Sequence, residues 1–455
     1  MQVLAATPFS DESHTGEAIA CKTAEALKRG GVVGLAQDQV FAAVSDNAAN
    51  MLLGFANYGS AGCAVHSMQL CVNSFLASPG IEEMRVKQKG IVNHFHKSTG
   101  LDGLNGLFSC MRATGCPVHH PVRACMTRWS SDYKQMEWFR YQQMSVQRYD
   151  TVHSTKAGWA YREHQLNLDD WQLNEQSCAV LAPLADWTQH LQGSKTYPTM
   201  PLVLPTVFAL VEHTLPESDL VCKFPEKPAY VLYPSARPSM SSDVAKARHT
   251  LHDEIKRRFI KDINHTVKRL YYIAMLLHPC FKDVNFGDLY SFVPEGDRQW
   301  ALGELRNEWR FKWAPKRTQQ PVQPAPESNP ESESSALLPI TEVRANHKVS
   351  LSGLLGKRPR LGSSAEASTV SDELDEYLRS PPEDDADLNV LAWWASKAGR
   401  WPHLAKMVRQ FHALPASSAG VERVFSAAGK MHDDLRKAVK DETLEASLLA
   451  SFNHQ

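Results

Sequence analysis

Asp46 stands at a position where α/β proteins place functional groups. The apolar run at residues 40–44 is typical of a buried strand, and the stretch after Asn47 is typical of a helix. In open α/β sheets, functional side chains gather at the carboxyl ends of the strands. An Asp at this point also suits the cap of the following helix. A functional role for Asp46 therefore requires a second acid nearby.

Glu422 is the candidate for that second acid. It follows Pro415 in a predicted helix that Ser417 or Ser418 caps. The apolar residues of this helix recur at the spacing of a buried stripe: Val421, Val424, Phe425 and Ala428. Helical geometry puts Glu422 about 60° from Phe425, at the border of the stripe, where a carboxylate can project into a cleft. The alternative is a solvated acid whose stem covers apolar surface.

Cysteine and histidine residues raise the question of zinc. Cys63 and His66 have half of a zinc-ligand spacing, but no second pair follows at the expected interval. A further group lies close together in the sequence: Cys110, Cys116, His119, His120 and Cys125. Its spacings match no standard zinc module, and free buried cysteines are the alternative.

Arg128 and Trp129 form a pair suited to nucleic acid. A guanidinium can contact phosphate and an indole can stack on a base, although a packed Trp beside an exposed Arg is the alternative. Local positive patches occur at residues 256–258, 268–269 and 357–360. The last of these resembles a nuclear-import signal.

Composition limits the classes of function. The chain has 455 residues, and its 49 Lys and Arg against 50 Asp and Glu give a net charge of −1. No global basic field exists, so any DNA contact must come from local patches. The nine cysteines follow no regular spacing, which favours a reduced intracellular protein. No signal peptide or membrane-spanning run is recognisable, so we expect a soluble protein.

The order of predicted elements changes along the chain. Residues 1–78 alternate between strand-like and helix-like patterns, with a strand at 3–6 and a helix at 15–29 that Thr15 caps and Gly30 ends. This alternation predicts an α/β unit with some parallel pairing. The pattern of residues 79–313 is largely helical; from Glu254 to Leu277, for example, apolar residues recur at three- and four-residue spacing.

Residues 314–370 are rich in Pro, Ser, Glu and Gln, which predicts a disordered linker. Order is expected to return in residues 371–455. There the pattern predicts a helix through Phe411, a break at residues 414–415 and two further helices. The last predicted helix, Glu442 to Phe452, places Leu444, Leu448 and Leu449 on one side.

Several motifs fall in one recognisable order. They are SDNAANM, CAVHSMQL, TRWSSDYKQM, AMLLHPCFKDVNF, ELDEYL and VLAWWASKAGRWPHLAKMVRQFHALPASSAGVERVFSAAG, followed by LRKAVKDETLEASLLASFN. Together they strongly resemble the hAT superfamily of DNA transposases. The resemblance implies a ribonuclease-H-like α/β core that a large all-α insertion interrupts and a C-terminal dimerisation region completes. It also implies a homodimer or higher oligomer, a DNA partner and a nuclear location.

The resemblance assigns roles to individual residues. Asp46 and Glu422 match two of three carboxylates that bind Mg²⁺ or Mn²⁺ for DNA cleavage and strand transfer, chemistry for which hard oxygen ligands are suited. Cys63 and His66, and Arg128 with Trp129, match motifs that handle the flanking DNA hairpin and its flipped base. Core completion and subunit contact are both open for the C-terminal apolar residues Trp393, Trp394, Trp401, Leu444, Leu448 and Leu449.

The sequence also departs from the family pattern. The first catalytic Asp and the BED-type zinc finger belong upstream of the segment that residues 2–15 resemble, and Asp11 is no substitute for that Asp. His278 stands where the family has an Asp. We therefore expect an N-terminally truncated, catalytically impaired and domesticated transposase that dimerises and binds DNA. The alternative is an active cut-and-paste transposase whose first Asp lies outside this chain.

Overall fold

The computed structural model describes residues 14–29, 42–56, 60–125, 128–153, 159–192, 198–215, 240–282, 293–294, 296–315, 372–385, 388–431 and 440–453. The predicted strand at 3–6, the segment 30–41, residues 316–370 of the predicted linker and the basic patch 357–360 lie outside these residues.

The described chain is mostly helical, and its strands form one short parallel pair. Strand β1 is Val44–Ser45 and strand β2 is Ala61–Gly62, paired with Val44 opposite Ala61 and Ser45 opposite Gly62. The parallel pairing predicted for the N-terminal part is confirmed. The expected α/β core, however, is represented by this pair alone in the described residues.

The N-terminal elements begin as the sequence predicts. Helix α1, Gly16–Arg29, starts after Thr15, whose Oγ1 accepts a hydrogen bond from the backbone N–H of Ala18 at 3.2 Å. This confirms the predicted cap. Helix α1 packs closely against α2, Ala49–Gly54: a Cβ at Gly54 would lie 2.6 Å from Ile19.

The long helical part follows β2. Its helices are α3 Ala64–Leu76, α4 Pro79–Lys97, α5 Leu104–Ala113, α6 Trp129–Val152, α7 Trp159–Arg162, α8 Leu168–Leu191, α9 Val203–Thr214, α10 Ser242–Lys256, α11 His265–Leu276 and α12 Asp297–Glu308. Short turns join this set: a 3₁₀ turn at Met200–Leu202 and π-helical turns at Arg257–Lys261 and Trp309–Trp313. None of the helices described here or below has the length and apolar character needed to cross a bilayer.

Five helices make up the C-terminal part: α13 Glu373–Arg379, α14 Val390–Lys397, α15 Pro402–His412, α16 Ala419–Met431 and α17 Asp441–Asn453. The predicted end of a helix at Phe411 and the two helices after residue 415 are confirmed to within a residue or two.

Most elements share one hydrophobic core. It runs through α3, α8 to α12 and α13 to α15, and so joins residues of the predicted segments 1–78, 79–313 and 371–455. A smaller core lies among α4, α5 and α6, around Phe95, Phe139 and Tyr149. The strand pair enters the large core through Ala61 and the neighbouring Cys63.

The helical pattern predicted from Glu254 to Leu277 is confirmed, but it is divided between two helices. Helix α10 ends at Lys256, a π-helical turn follows, and α11 begins after Asn264, whose Oδ1 accepts a hydrogen bond from the backbone N–H of Val267 at 2.8 Å. The apolar residues of the pattern are still packed inward, because the π-helical turn and the Asn264 cap restart the helix with the same face buried.

The buried stripe predicted for α16 is wrong. Val424 is buried, whereas Val421 is 49% exposed and Phe425 is 67% exposed. The apolar spacing gives α16 an apolar face, but little of the described part of the chain packs against that face. A hydrophobic pattern alone does not distinguish a core face from a face that a second molecule covers.

Candidate functional site

The carboxyl edge of the strand pair brings Asp46 and Cys63 together. Asp46 directly follows β1 and Cys63 directly follows β2. The backbone N–H of Cys63 donates to the carbonyl of Ser45 at 2.7 Å, which extends the parallel ladder to this edge. The position predicted for Asp46 is therefore the end of a parallel strand, where α/β proteins place functional groups.

Asp46 is half-buried and does not cap α2. Its Oδ1 accepts a hydrogen bond from the backbone N–H of Ala48 at 3.3 Å, and Ala48 itself occupies the cap position of the helix. The next residue, Asn47, donates through Nδ2 to Ser67 Oγ at 2.8 Å and so ties this edge to α3. The Asp46 contact is an Asx-type turn that orients the carboxylate at the strand end.

Cys63 joins three segments of the chain. Its buried Sγ accepts hydrogen bonds at 3.4 Å from the backbone N–H groups of His66 and Ser418. The next backbone N–H, of Ala64, donates to the carbonyl of Ala416 at 2.9 Å. The thiol therefore caps the start of α3 and fastens it to the segment that leads into α16, while His66 lies half-buried in the first turn of α3.

Glu422 lies in the first turn of α16 and forms an ion pair with Arg128. The Nη2 of Arg128 donates to Glu422 Oε2 at 3.0 Å, although the two residues are 294 positions apart. A carboxylate is favoured in the first turn of a helix. Both side chains are well exposed, 63% for Arg128 and 49% for Glu422, so the pair contributes only about 0–1 kcal/mol to stability.

Trp129 is buried beside this ion pair. It is 3% exposed at the start of α6 and belongs to the large core. The described arrangement is thus a packed indole with an exposed guanidinium. The sequence pairs Arg128 with Trp129 as neighbours, but nothing in the sequence predicts that Arg128 contacts Glu422. Only the fold brings these two motifs together.

The arrangement does not fit a divalent cation. Within the described ranges, no group of three or more His, Cys, Asp or Glu side chains is placed to hold a metal ion. The Glu422 carboxylate is already paired with a guanidinium, and a Mg²⁺ site of two or more carboxylates needs those oxygens for the ion. What the geometry offers instead is a cation, Arg128, paired with α16, the helix whose leading segment Ser418 fastens to Cys63.

The second Cys and His group packs the smaller core. Cys110 and Cys116 are buried, and the indole N–H of Trp138 donates to His119 Nδ1 at 3.1 Å. His120 packs edge-on against Phe108, with ring centres 5.2 Å apart. No metal-holding group includes them in the part of the chain that the structure describes.

The C-terminal aromatic residues lie mainly inside their own chain. Trp394 and Trp401 are 3% and 2% exposed and pack around the buried Tyr377. The indole N–H of Trp394 donates to the carbonyl of Leu277 at 3.1 Å, and that of the partly buried Trp393 donates to Glu383 at 2.8 Å. Trp394 and Trp401 therefore complete the core.

The three leucines of α17 differ in burial. Leu448 is 1% exposed, whereas Leu444 and Leu449 are half-buried. Helix α17 packs against α16, so Leu448 serves core packing and its two neighbours remain partly available to a second molecule.

Comparison with known proteins bears on this C-terminal part. Residues 373–453 match the hAT family C-terminal dimerisation region. We call residues 373–453 the hAT dimerisation region after this match. The region covers α13 to α17, including the helix that carries Glu422.

Two curated plant proteins are similar to the chain. The zinc finger BED domain-containing protein DAYSLEEPER of Arabidopsis thaliana is 32% identical over 84 residues, which are 18% of this chain and 12% of that protein. The zinc finger BED domain-containing protein RICESLEEPER 1 of Oryza sativa subsp. japonica is 26% identical over 222 residues, 46% of this chain and 28% of that protein. The resemblance to hAT-derived proteins is confirmed. The matched segments span less than a third of either relative.

The two basic patches within the described residues differ in their ion pairs. Lys268 is paired with Asp297 at 2.8 Å, and Arg269 with Glu304 at 2.8 Å and with Glu308, all on α12. Their charges are therefore neutralised within the fold. The patch at residues 256–258 lies at the junction of α10 and α11.

Proposed function

We propose that this protein is a hAT transposase-derived, DNA-binding homodimer that does not cleave DNA. The observation that carries this proposal is the Arg128–Glu422 ion pair. A cleaving site would use the Glu422 carboxylate to hold Mg²⁺ or Mn²⁺ against the reacting phosphate. Arg128 competes with such an ion for the Glu422 carboxylate, and its positive charge weakens the attraction of this site for a divalent cation.

The hAT dimerisation region supports self-association. Its helix α16 exposes two large apolar side chains one helical turn apart, Val421 and Phe425. Exposed apolar groups grouped in this way are typical of protein interfaces. A second copy of the chain is the occupant that the family match favours for this face.

DNA is the partner that follows from the family match and from the local chemistry. Arg128 is an exposed guanidinium, and phosphate is the ligand that its planar fork suits best. Binding of this kind needs no metal ion. With a DNA partner we propose a nuclear location, which the import-like basic patch at residues 357–360 supports.

A binding and cleavage assay tests this proposal. The full chain is incubated with a fluorescently labelled hairpin duplex of the transposon-end type, with and without Mg²⁺ or Mn²⁺, and compared with Glu422→Gln. We expect the wild-type chain and the variant to bind the duplex, with no cut strand in either metal.

Two outcomes would contradict the proposal. Metal-dependent nicking that Glu422→Gln abolishes would establish the alternative, an active transposase. A chain that binds no duplex at low salt would remove the DNA partner.

A further inference from the structure

A groove of about 740 Å³ opens beside the strand edge. It is lined by Asn47 at that edge, Ser67 on α3, Arg257 and Arg258 in the turn between α10 and α11, and Thr266 in the first turn of α11. Its volume lies within the range of about 300–1,000 Å³ typical of ligand sites. Because Asn47 directly follows Asp46, the groove leads to the carboxyl end of β1.

Glu254 holds the two arginines of the groove in place. Arg257 donates through Nε and Nη2 to the two carboxylate oxygens of Glu254, at 2.9 and 2.8 Å, and through Nη1 to Asp262 at 3.1 Å. Arg258 donates to Glu254 through Nε alone, at 2.9 Å. Its terminal nitrogens make no hydrogen bond to the described residues. A guanidinium fixed by its Nε presents the remaining N–H groups as a preset fork.

The charge around the groove is positive on balance. Residues 256–261, which we call the basic turn, contain Lys256, Arg257, Arg258 and Lys261. Glu254 and Asp262 oppose them, and both are engaged by Arg257. The α12 acids that neutralise Lys268 and Arg269 make no ion pair with the basic turn in the described structure. The basic turn therefore has more cations than paired acids, whereas the cations of the patch at residues 268–269 are paired with acids of α12.

The other polar lining of the groove suits a sugar–phosphate chain. Ser60, Ser67, Asn264 and Thr266 present hydroxyl and amide groups. Arginine together with such groups makes the contacts that proteins use for phosphate and sugar oxygens. A metal ion is a poor occupant, since cations dominate the rim.

We propose that this groove binds the sugar–phosphate backbone of a nucleic-acid strand, with Arg258 as its phosphate ligand. The proposal rests on the DNA-binding function proposed above and assigns a site to it. A strand in the groove passes Asn47 and reaches Asp46, so the groove would set the path of the DNA across the strand edge. The sequence flagged the cations but not the groove, which forms from residues about 200 positions apart.

Fluorescence anisotropy tests the groove. The probe is a 20-nucleotide single strand of mixed sequence with a 5′ fluorescein, titrated with full-length protein over a series of KCl concentrations. The test variant is Arg258→Gln with Lys261→Gln. The matched control is Lys97→Gln with Arg112→Gln, two exposed cations near the ends of α4 and α5. For the test variant we expect roughly tenfold weaker binding at 0.1 M KCl. We also expect the slope of log binding constant against log KCl concentration to be smaller in magnitude by about one. The control should match the wild type.

Position is tested separately by crosslinking. Thr266, at the rim of the groove, is replaced by the photoreactive p-benzoylphenylalanine, and exposed Val152 on α6 is replaced in the same way as the control. We expect the 266 derivative to crosslink to the labelled strand and the 152 derivative not to do so.

The outcomes separate the two proposals. Unchanged affinity and salt slope in the test variant, or equal crosslinking from both positions, would overturn the groove and leave DNA binding in place. A wild-type chain that binds no strand would overturn both. If altered circular dichroism shows that the test variant is misfolded, the crosslinks test the groove instead. The derivative at position 266 keeps Arg258 and Lys261, so its crosslinking does not depend on the substituted cations.

Discussion

Single residues in this protein show how burial decides chemistry. Cys63 has the spacing of a zinc ligand with His66, yet its sulfur is buried and accepts two backbone hydrogen bonds. Glu422 and Arg128 resemble parts of different motifs, yet they pair with each other. In both cases the residue type indicated a possible role, whereas the tertiary packing determined which group the side chain contacts.

His412 is a buried residue with a measurable pH effect. Its Nε2–H donates to the carbonyl of Ala274 at 3.1 Å, and its Nδ1 has no hydrogen-bond partner among the described residues. Burial lowers the pKa of His412 from 6.5 to about 4. Because the folded pKa lies below the unfolded value, the neutral ring stabilises the fold fully above pH 6.5. That stabilisation is lost as the pH falls from 6.5 towards 4.

We predict that His412→Gln makes the stability of the protein less dependent on pH. Between pH 7.5 and 5, the wild-type free energy of unfolding should fall by about 2 kcal/mol more than that of the variant. Urea unfolding at the two pH values measures this difference. His249→Gln, at a 63% exposed position, is the control and should keep the wild-type dependence. Equal slopes for His412→Gln and the wild type would contradict the buried neutral ring.

At the scale of the elements, the end and restart of helices depend on single polar side chains. Helix α11 begins after its cap residue Asn264, in the middle of a stretch whose apolar residues recur at helical spacing. The π-helical turn Arg257–Lys261 precedes α11 and brings Arg257 and Arg258 to the groove. A cap residue inside a periodic pattern is thus as important to the site as the pattern itself.

We predict that Asn264→Ala lowers the free energy of unfolding by about 1 kcal/mol, because the backbone N–H of Val267 loses its acceptor. Asn105→Ala is the matched control, since Asn105 is exposed inside α5 and caps no helix. Its effect should stay within about 0.5 kcal/mol. Urea unfolding at pH 7.5 measures both. Equal losses in the two variants would show that α11 does not depend on this cap.

At the scale of the whole molecule, the hAT dimerisation region is part of the chain's own core. Tyr377 donates its hydroxyl to the carbonyl of Leu276 at 3.1 Å, and Trp394 donates to Leu277. The buried ammonium of Lys282 donates to the carbonyl of Tyr377 at 2.6 Å. The motif AMLLHPCFK therefore holds the helices that follow the predicted linker.

We predict that cutting the predicted linker leaves the two parts together. A specific protease site is inserted within residues 316–371, and the cut protein is compared with the uncut protein by gel filtration. The fragments should co-elute in native buffer and separate in urea, because buried aromatic contacts hold the region in place. Fragments that separate in native buffer would contradict this docking.

The exposed face of α16 leads to a prediction about assembly. Wild-type protein should be dimeric at micromolar concentration, and Phe425→Glu should raise the dimer dissociation constant at least tenfold, because it places a charge in an apolar contact. Sedimentation velocity measures both. Leu168→Glu is the control, since Leu168 is 79% exposed outside the hAT dimerisation region. A monomeric wild type, or a Phe425→Glu variant that dimerises normally, would exclude this face.

The sequence by itself indicated the resemblance to hAT proteins, most helices and the candidate residues. Helix periodicity, caps such as Thr15 and short motifs involve residues that are close together in the sequence. Such features can therefore be recognised without the tertiary structure. The order of predicted strands and helices favoured some parallel pairing near the N-terminus, but strand β2, which pairs with β1, was not predicted.

Only the tertiary structure decided which of these residues meet. The Arg128–Glu422 pair, the groove beside Asn47 and the burial of Trp394 against Leu277 all join positions far apart in the chain. The apolar spacing of α16 could not say whether a core or a second molecule covers it. Contacts between distant residues depend on how helices pack, which no local pattern records, and the chemistry of this site depends on those contacts.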